Sequence, residues 1–276
     1  MRAAIPAFLI YSSSSSEAGH LVVASQLGKC YPHFGQHLLA YARAVMTVSA
    51  TSRYTPIVKI CGTRTVEAAQ CAISSGAELI GMILVPNRKR TVSAGQAKAI
   101  SHAVHEFRDS RPLHDVSLTE DHNVWFAGHV EQIRRRAPLV VGVFRNQSLE
   151  EILRLQREYE LDIVQLHGSE PLSWTREIPV PVIKKFAAGE DDLMTPGFHA
   201  VPLLDGGVGG EGQMISWEGL PESGAFILAG GLTADNVALA VRVPNVHGVD
   251  VSTGVETDGK QDLDKIKSFI KNAKGL

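Results

Sequence analysis

A cysteine followed by a glycine ends a short apolar run, IVKICG, at residues 57–62. The chain has three cysteines, Cys30, Cys61 and Cys71. None has CxxC spacing, so they neither build a disulfide framework nor close a zinc site, and they point to a reducing compartment. Composition alone makes Cys61 an inert core thiol, because free cysteine is among the most buried residue types. Other apolar runs, however, also end in polar residues. In order these are Arg90 in the loop after the second run, Arg145, His167, Lys184 or Lys185, Asp205, the Gly230–Gly231 pair, and Asp250 with Ser252. AGG (229–231) and DVSTG (250–254) supply small residues whose backbone N–H groups suit a phosphate, whereas a glycine pair alone only turns the chain. His102 and His105 have the i, i+3 spacing of a metal pair but lack a third ligand and read as surface histidines.

The elements that must position these residues follow from periodicity. IVKIC precedes TVEAAQCAISSGA, where Val66, Ala69 and Ile73 share a helical face and Gly76 stops the helix. ELIGMIL leads to a helix from about Ser93 to Phe107, and LVVGVF to SLEEILRLQREYE, opened by a capping box from Ser148 to Glu151. DIVQLHG follows, then a short helix, then PVIKKF; VPLLD leads into a glycine-rich loop, AFILAGG into TADNVALAV, and VHGVDVSTG into DLDKIKSFIKNA. The sum is eight strand-then-helix units, each strand a near-continuous buried run of the kind parallel sheets require. Eight units closing on themselves make a single α/β domain, a (β/α)8 TIM barrel, with its chemistry at the C-terminal strand ends and its phosphate site after strands seven and eight. A doubly wound open sheet is the competing architecture, but no GxGxxG follows the first strand.

Composition excludes other classes. Of the 276 residues, 44% are hydrophobic and 20% charged, which suits one globular domain. A net charge of -2 offers no basic field for nucleic acid, and no apolar stretch is long enough to span a bilayer. The expected partner is a small phosphorylated molecule, with no nucleic acid, no membrane and a monomeric chain.

Taken in order and spacing, VKICG, GMILVPNRKRTVS, VGVFRNQ, IVQLHG, LLDGGVGGEG, LAGGLTADNV and GVDVSTGVETDG resemble the signature segments of phosphoribosylanthranilate isomerase, especially its single-function fungal form. The resemblance covers nearly all of residues 56–274. It implies an Amadori rearrangement of N-(5-phosphoribosyl)anthranilate in tryptophan biosynthesis, with no cofactor and no metal. It further implies Cys61 as general base and Asp205 as general acid, and Arg90 on the anthranilate carboxylate. Gly230, Gly231, Ser252, Thr253 and Gly254 would hold the phosphate, and Asp250 would order the pocket near the sugar hydroxyls. A thiol of ordinary pKa about 8.5 serves as a base if a nearby positive charge lowers it modestly, whereas Asp205 must hold its proton at neutral pH.

The chain departs from the family pattern where GGTG reads GGEG, with Glu211 in place of a small hydroxyl residue, and where Ser216 replaces an aspartate before tryptophan. Other readings stay open at single positions: Asp205 as a loop cap, Arg90 as part of a solvated basic turn with Arg88 and Lys89, and His167 as structural support. Two competing functions are another enzyme of the phosphate-binding barrels and a non-catalytic phosphate-ligand binder. Residues 1–55 hold SSSSS (12–16), four basic residues and a single acidic one. They read as an N-terminal extension outside the barrel of 56–276: disordered, an organellar transit segment, or the result of a true start at Met46. The barrel itself is expected in the cytoplasm. Residues 108–138 are too long for a plain connection and read as an insertion before the third strand, on the side away from the chemistry.

Overall fold

The computed structural model describes residues 55–110, 125–205, 220–221 and 223–276. Residues 1–54, the GGEG loop with Glu211 and Ser216, and residues 111–124 of the long connection lie outside the described residues.

Eight parallel strands close into one barrel in sequential order. They are β1 (Ile57–Ile60), β2 (Leu79–Ile83), β3 (Leu139–Phe144), β4 (Ile163–Leu166), β5 (Val182–Phe186), β6 (Val201–Asp205), β7 (Phe226–Ala229) and β8 (Val246–Val251). The helices are α1 (Val66–Ser74), α2 (Ala94–Asp109), α3 (Trp125–Arg136), α4 (Leu149–Glu158), α5 (Val237–Ala240) and α6 (Leu263–Lys274). A small hairpin, β9 (Glu256–Thr257) with β10 (Lys260–Gln261), follows β8. Side-chain caps set the helix starts: Thr65 accepts from Ala68 N, Ser93 from Gln96 N, and Ser148 from Glu151 N. The capping box at Ser148 forms only its first half, because the Glu151 carboxylate is taken by Arg154.

The expected eight strand-then-helix units need correction. The connections after β4 and β5 are single 3-10 turns, Leu172–Arg176 and Asp191–Met194, and α5 is one turn of four residues. Pro171, Pro179 and Pro181 crowd the first of these stretches, and proline lacks the N–H that a helix interior needs. Apolar spacing cannot register that loss.

Period-2 alternation sorts the strand residues into two cores. Val58, Ile60, Ile80, Met82, Val164, Leu166, Leu204 and Leu228 face outward and pack under the helices. Ile57, Leu79, Val141, Ile163, Ile183, Leu203 and Ile227 point into the barrel and fill its N-terminal half. α3 caps that end. Its Phe126, Val130 and Ile133 join the interior cluster, Trp125 Nε1 donates to His199 O at 2.9 Å, and Arg134 reaches Thr55 O at 2.7 Å. Thr55 and His199 precede β1 and β6, so this helix lies at the end opposite the strand C-termini. Of the 108–138 stretch, Arg108 and Asp109 finish α2, and 125–136 form α3.

Candidate active site

The inward alternation also delivers the polar residues. Two places beyond Ile57 on β1 comes Lys59, and two beyond that Cys61. On β4 the series is Ile163, Gln165, His167; on β6 it is Val201, Leu203, Asp205. Neighbouring strands align Asp205 with Ala229, Ala229 with Asp250, and Asp250 with Lys59. The result is a layer of charged groups directly above the apolar filling, opening into one cavity of about 280 Å3. Cys61, Asp205, Arg90 and Asp250 line it, together with Gly230 and Gly231 after β7 and Ser252, Thr253 and Gly254 after β8. Every residue given a catalytic or binding role in the sequence reading therefore lines one barrel mouth, whereas Lys184 and Lys185 do not line it.

The glycine loops are close-packed. A Cβ on Gly254 would stand 1.9 Å from Leu232 O, so the loops after β7 and β8 touch at a point only glycine permits. Gly230 and Gly231 adopt φ of 97° and 61°, a conformation that favours glycine. Arg90 crosses to this side, its Nη1 donating to Ser252 Oγ.

Cys61 is buried, and its burial pushes the thiol up, against the pull of Lys59 and Arg90. The expected modest lowering by a nearby positive charge does not result, because desolvation of the thiolate outweighs it. Lys59 is wholly buried, with its Nζ 2.9 Å from Asp250 Oδ1. Burial favours its neutral amine, but Asp250 and Cys61 together hold the ammonium above the usual lysine range. Burial also pushes Asp250 up, against the opposing pull of Lys59. His167 lies 3.6 Å from an Asp205 oxygen and 3.2 Å from Gln165 Nε2. Burial, with Lys185 and Lys59 nearby, pushes it down to about 4, so it faces Asp205 as a neutral imidazole at pH 7. Beside it Glu170, buried, accepts from Asn146 N at 2.7 Å and Gly168 N at 2.9 Å and pairs with Lys184, bracing the loops after β3 and β4.

A family model described as N-(5'phosphoribosyl)anthranilate (PRA) isomerase matches residues 110–272. A curated relative from Lipomyces starkeyi, named N-(5'-phosphoribosyl)anthranilate isomerase, is 64% identical over 244 residues, covering 83% of this chain and 100% of its own length. The chain belongs to the phosphoribosylanthranilate isomerase family. Among solved structures, the phosphoribosyl anthranilate isomerase of Thermotoga maritima is 33% identical with a TM-score of 0.62, over 80% of this chain and 100% of its own. Another of that name, 32% identical with a TM-score of 0.58 over 80% and 100%, is in complex with reduced 1-(o-carboxyphenylamino)-1-deoxyribulose 5-phosphate.

Against the family's frame, two residues escaped the sequence reading. Lys59 was legible in principle, since a lysine inside an apolar run, two places before Cys61, must share its face and needs a buried partner. Gln165, also buried, carried no such signal. One expectation is corrected: His105 is not a surface histidine but sits 3.1 Å from Asp162, which also accepts from Arg108 and Val140 N. His102 is exposed and, among the described residues, meets Glu106. Among the described residues no group of three His, Cys, Asp or Glu side chains could hold a metal ion, and no helix is long and apolar enough to cross a membrane.

Proposed function

We propose that the chain catalyses the Amadori rearrangement of N-(5-phosphoribosyl)anthranilate in tryptophan biosynthesis, with Asp205 as general acid and Cys61 as general base. The observation that carries this reading is the meeting of a buried thiol and a carboxyl in one cavity, from strands separated only by β7 and β8. Asp205 gives a proton to the ribose ring oxygen, and the C1' bond to that oxygen breaks to form a Schiff base. Cys61, as thiolate, then removes the C2' proton, and the electron pair of that C–H bond makes the enolamine. Moving the enol proton to C1' completes the ketose product. One acid and one base suffice.

The glycine loops after β7 and β8 are the phosphate cradle of this reading. The close approach at Gly254 and the paired positive φ angles support it, since both positions call for glycine, whose missing side chain lets a ligand come close to the backbone. Arg90 takes the anthranilate carboxylate, a planar fork meeting a planar acceptor. Its hydrogen bond to Ser252 favours a second reading, in which Arg90 serves the phosphate instead. Competition by anthranilate and by inorganic phosphate separates the two: Arg90→Lys weakens only the anion that Arg90 binds. We further propose that the chain acts as a cytoplasmic monomer, with the barrel beginning near residue 56, which sedimentation and limited proteolysis would test.

The main test uses the fluorescence of the substrate, made in place from anthranilate and phosphoribosyl pyrophosphate by a separate transferase. Wild type is expected to speed the loss of signal over background decay, while Cys61→Ala and Asp205→Ala lose most of that rate. No acceleration by folded wild-type protein overturns the reading.

A further inference from the structure

The buried ion pair beneath Cys61 is not needed to explain substrate binding, and its stoichiometry is unusual. β1 pairs with β8 so that Lys59 and Asp250 are direct neighbours, and Lys59 Nζ donates to Asp250 Oδ1 at 2.9 Å. Lys59 and Cys61 project from the same face of β1. On the other side of β1, Gly81 of β2 leaves room for both: a Cβ placed there would lie 3.0 Å from Lys59 Nζ and 3.1 Å from Cys61 Sγ. Both groups therefore crowd the same point above Gly81, and the ammonium favours the thiolate through its charge. One cation thus stands beside two acids at the floor of the cavity, Lys59 being 0% exposed and Cys61 7%.

Charge counting decides what such a cluster can do. With Lys59 protonated, the cluster is neutral when either Asp250 or Cys61 is ionised, and carries an unmatched buried anion when both are. The two acids therefore compete for one partner and titrate as a unit. The surrounding charges do not break the competition. Arg90, from the loop after β2, favours both anions; Asp205, from β6, disfavours the Asp250 anion; His167, from β4, is neutral at pH 7.

We propose that Lys59 is a positioning residue whose ammonium is shared between Cys61 and Asp250, so that the charge state of Asp250 sets how readily Cys61 becomes the base. This rests on the reading of Cys61 as general base. Asp250 then has a role distinct from ordering the sugar pocket: its carboxylate restrains the thiol, and its neutralisation releases the cation to the thiolate. Lys59 itself transfers no proton.

The experiment is the pH dependence of iodoacetamide alkylation at Cys61, mapped by mass spectrometry to separate it from Cys71, in the full chain without substrate. Asp250→Asn is expected to move the Cys61 titration to lower pH by about one to three units, the range for one buried neighbouring charge. Lys59→Met is expected to move it to higher pH, and Lys59→Arg to restore part of the shift. A merely structural strut would not move the titration in opposite directions in the two variants. An Asp250→Asn titration that stays in place or moves upward overturns the proposal, and this arm decides alone if Lys59→Met fails to fold. Failure of the isomerase reading would appear separately, as absent turnover by wild type, because alkylation needs no substrate.

Discussion

The two ends of the barrel are built by the same strands on the same alternation, yet they solve opposite problems. At the N-terminal end the inward positions are Ile57, Leu79, Ile163, Leu203 and Ile227, and Phe126 of α3 packs over them. At the C-terminal mouth the next inward positions on β1, β4 and β6 are Lys59 and Cys61, Gln165 and His167, and Asp205. The change from wholly apolar to charged takes one pleat. Burial below contributes stability at about 25 cal/mol per Å2 of apolar surface, whereas above it raises the cost of every charge. That cost is what shifts the thiol of Cys61, the imidazole of His167 and the carboxyl of Asp250 from their ordinary pKa values. The lower half makes the scaffold stiff enough for the upper half to hold groups that would destabilise a looser one.

This contrast is breakable. The largest expected effect is at the mouth: Cys61→Ala and Asp205→Ala each lower kcat by on the order of 100-fold to 10,000-fold and leave the melting temperature equal to or above wild type. A large fall in melting temperature in both would show that the mouth also carries stability. The mirror case is Phe126→Ala, expected to cost about 3–5 kcal/mol by denaturant titration with kcat unchanged. Lost kcat in folded protein would mean that the ends are coupled.

A third prediction concerns pH. His199, wholly buried beside the rings of Phe126 and Phe186, donates through Nε2 to Leu193 O at 3.0 Å, and its Nδ1 has no hydrogen-bond partner among the described residues. Burial pushes it down to about 4. Between the ordinary histidine value and about 4, the unfolded chain binds the proton and the folded chain does not. The stability from keeping His199 neutral is therefore complete above pH ~6.5 and lost as pH falls toward 4, by on the order of 2–3 kcal/mol. Asp162, held below the usual carboxylate range despite burial by bonds from His105, Val140 N and Arg108, loses its contribution only at lower pH, so the two are separable. Thermal melts across this window should lose part of their slope in His199→Phe, the rest belonging to His167, which is shifted over the same range, and an unchanged slope sinks the assignment. The smallest effect is on the outer surface. Arg154, between Glu151 and Glu158 on α4, is exposed, and Arg154→Ala should leave melting unresolved from wild type at any salt concentration.

The legible and illegible parts of this molecule divide along the range of the interactions involved. Strand runs such as LVVGVF, helix caps at Thr65, Ser93 and Ser148, and the small residues of AGG and DVSTG are local, so periodicity and residue type expose them. The short helix expected after β4 is the 3-10 turn Leu172–Arg176, whereas the one after β5 was hidden, because a single turn is too short to show an apolar period. His105 was misread because its partner, Asp162, is 57 residues away.

By itself the sequence determined which side chains stand at the ends of buried strands, and hence the barrel and the residues from which its site is made. The tertiary structure decided the rest. Only barrel closure puts Asp250 of the last strand beside Lys59 of the first, 191 residues apart. Only burial turns a lysine, a cysteine and an aspartate of ordinary types into groups competing for one charge. The physical reason is that desolvation and cross-strand registry belong to the closed sheet and to no segment of it.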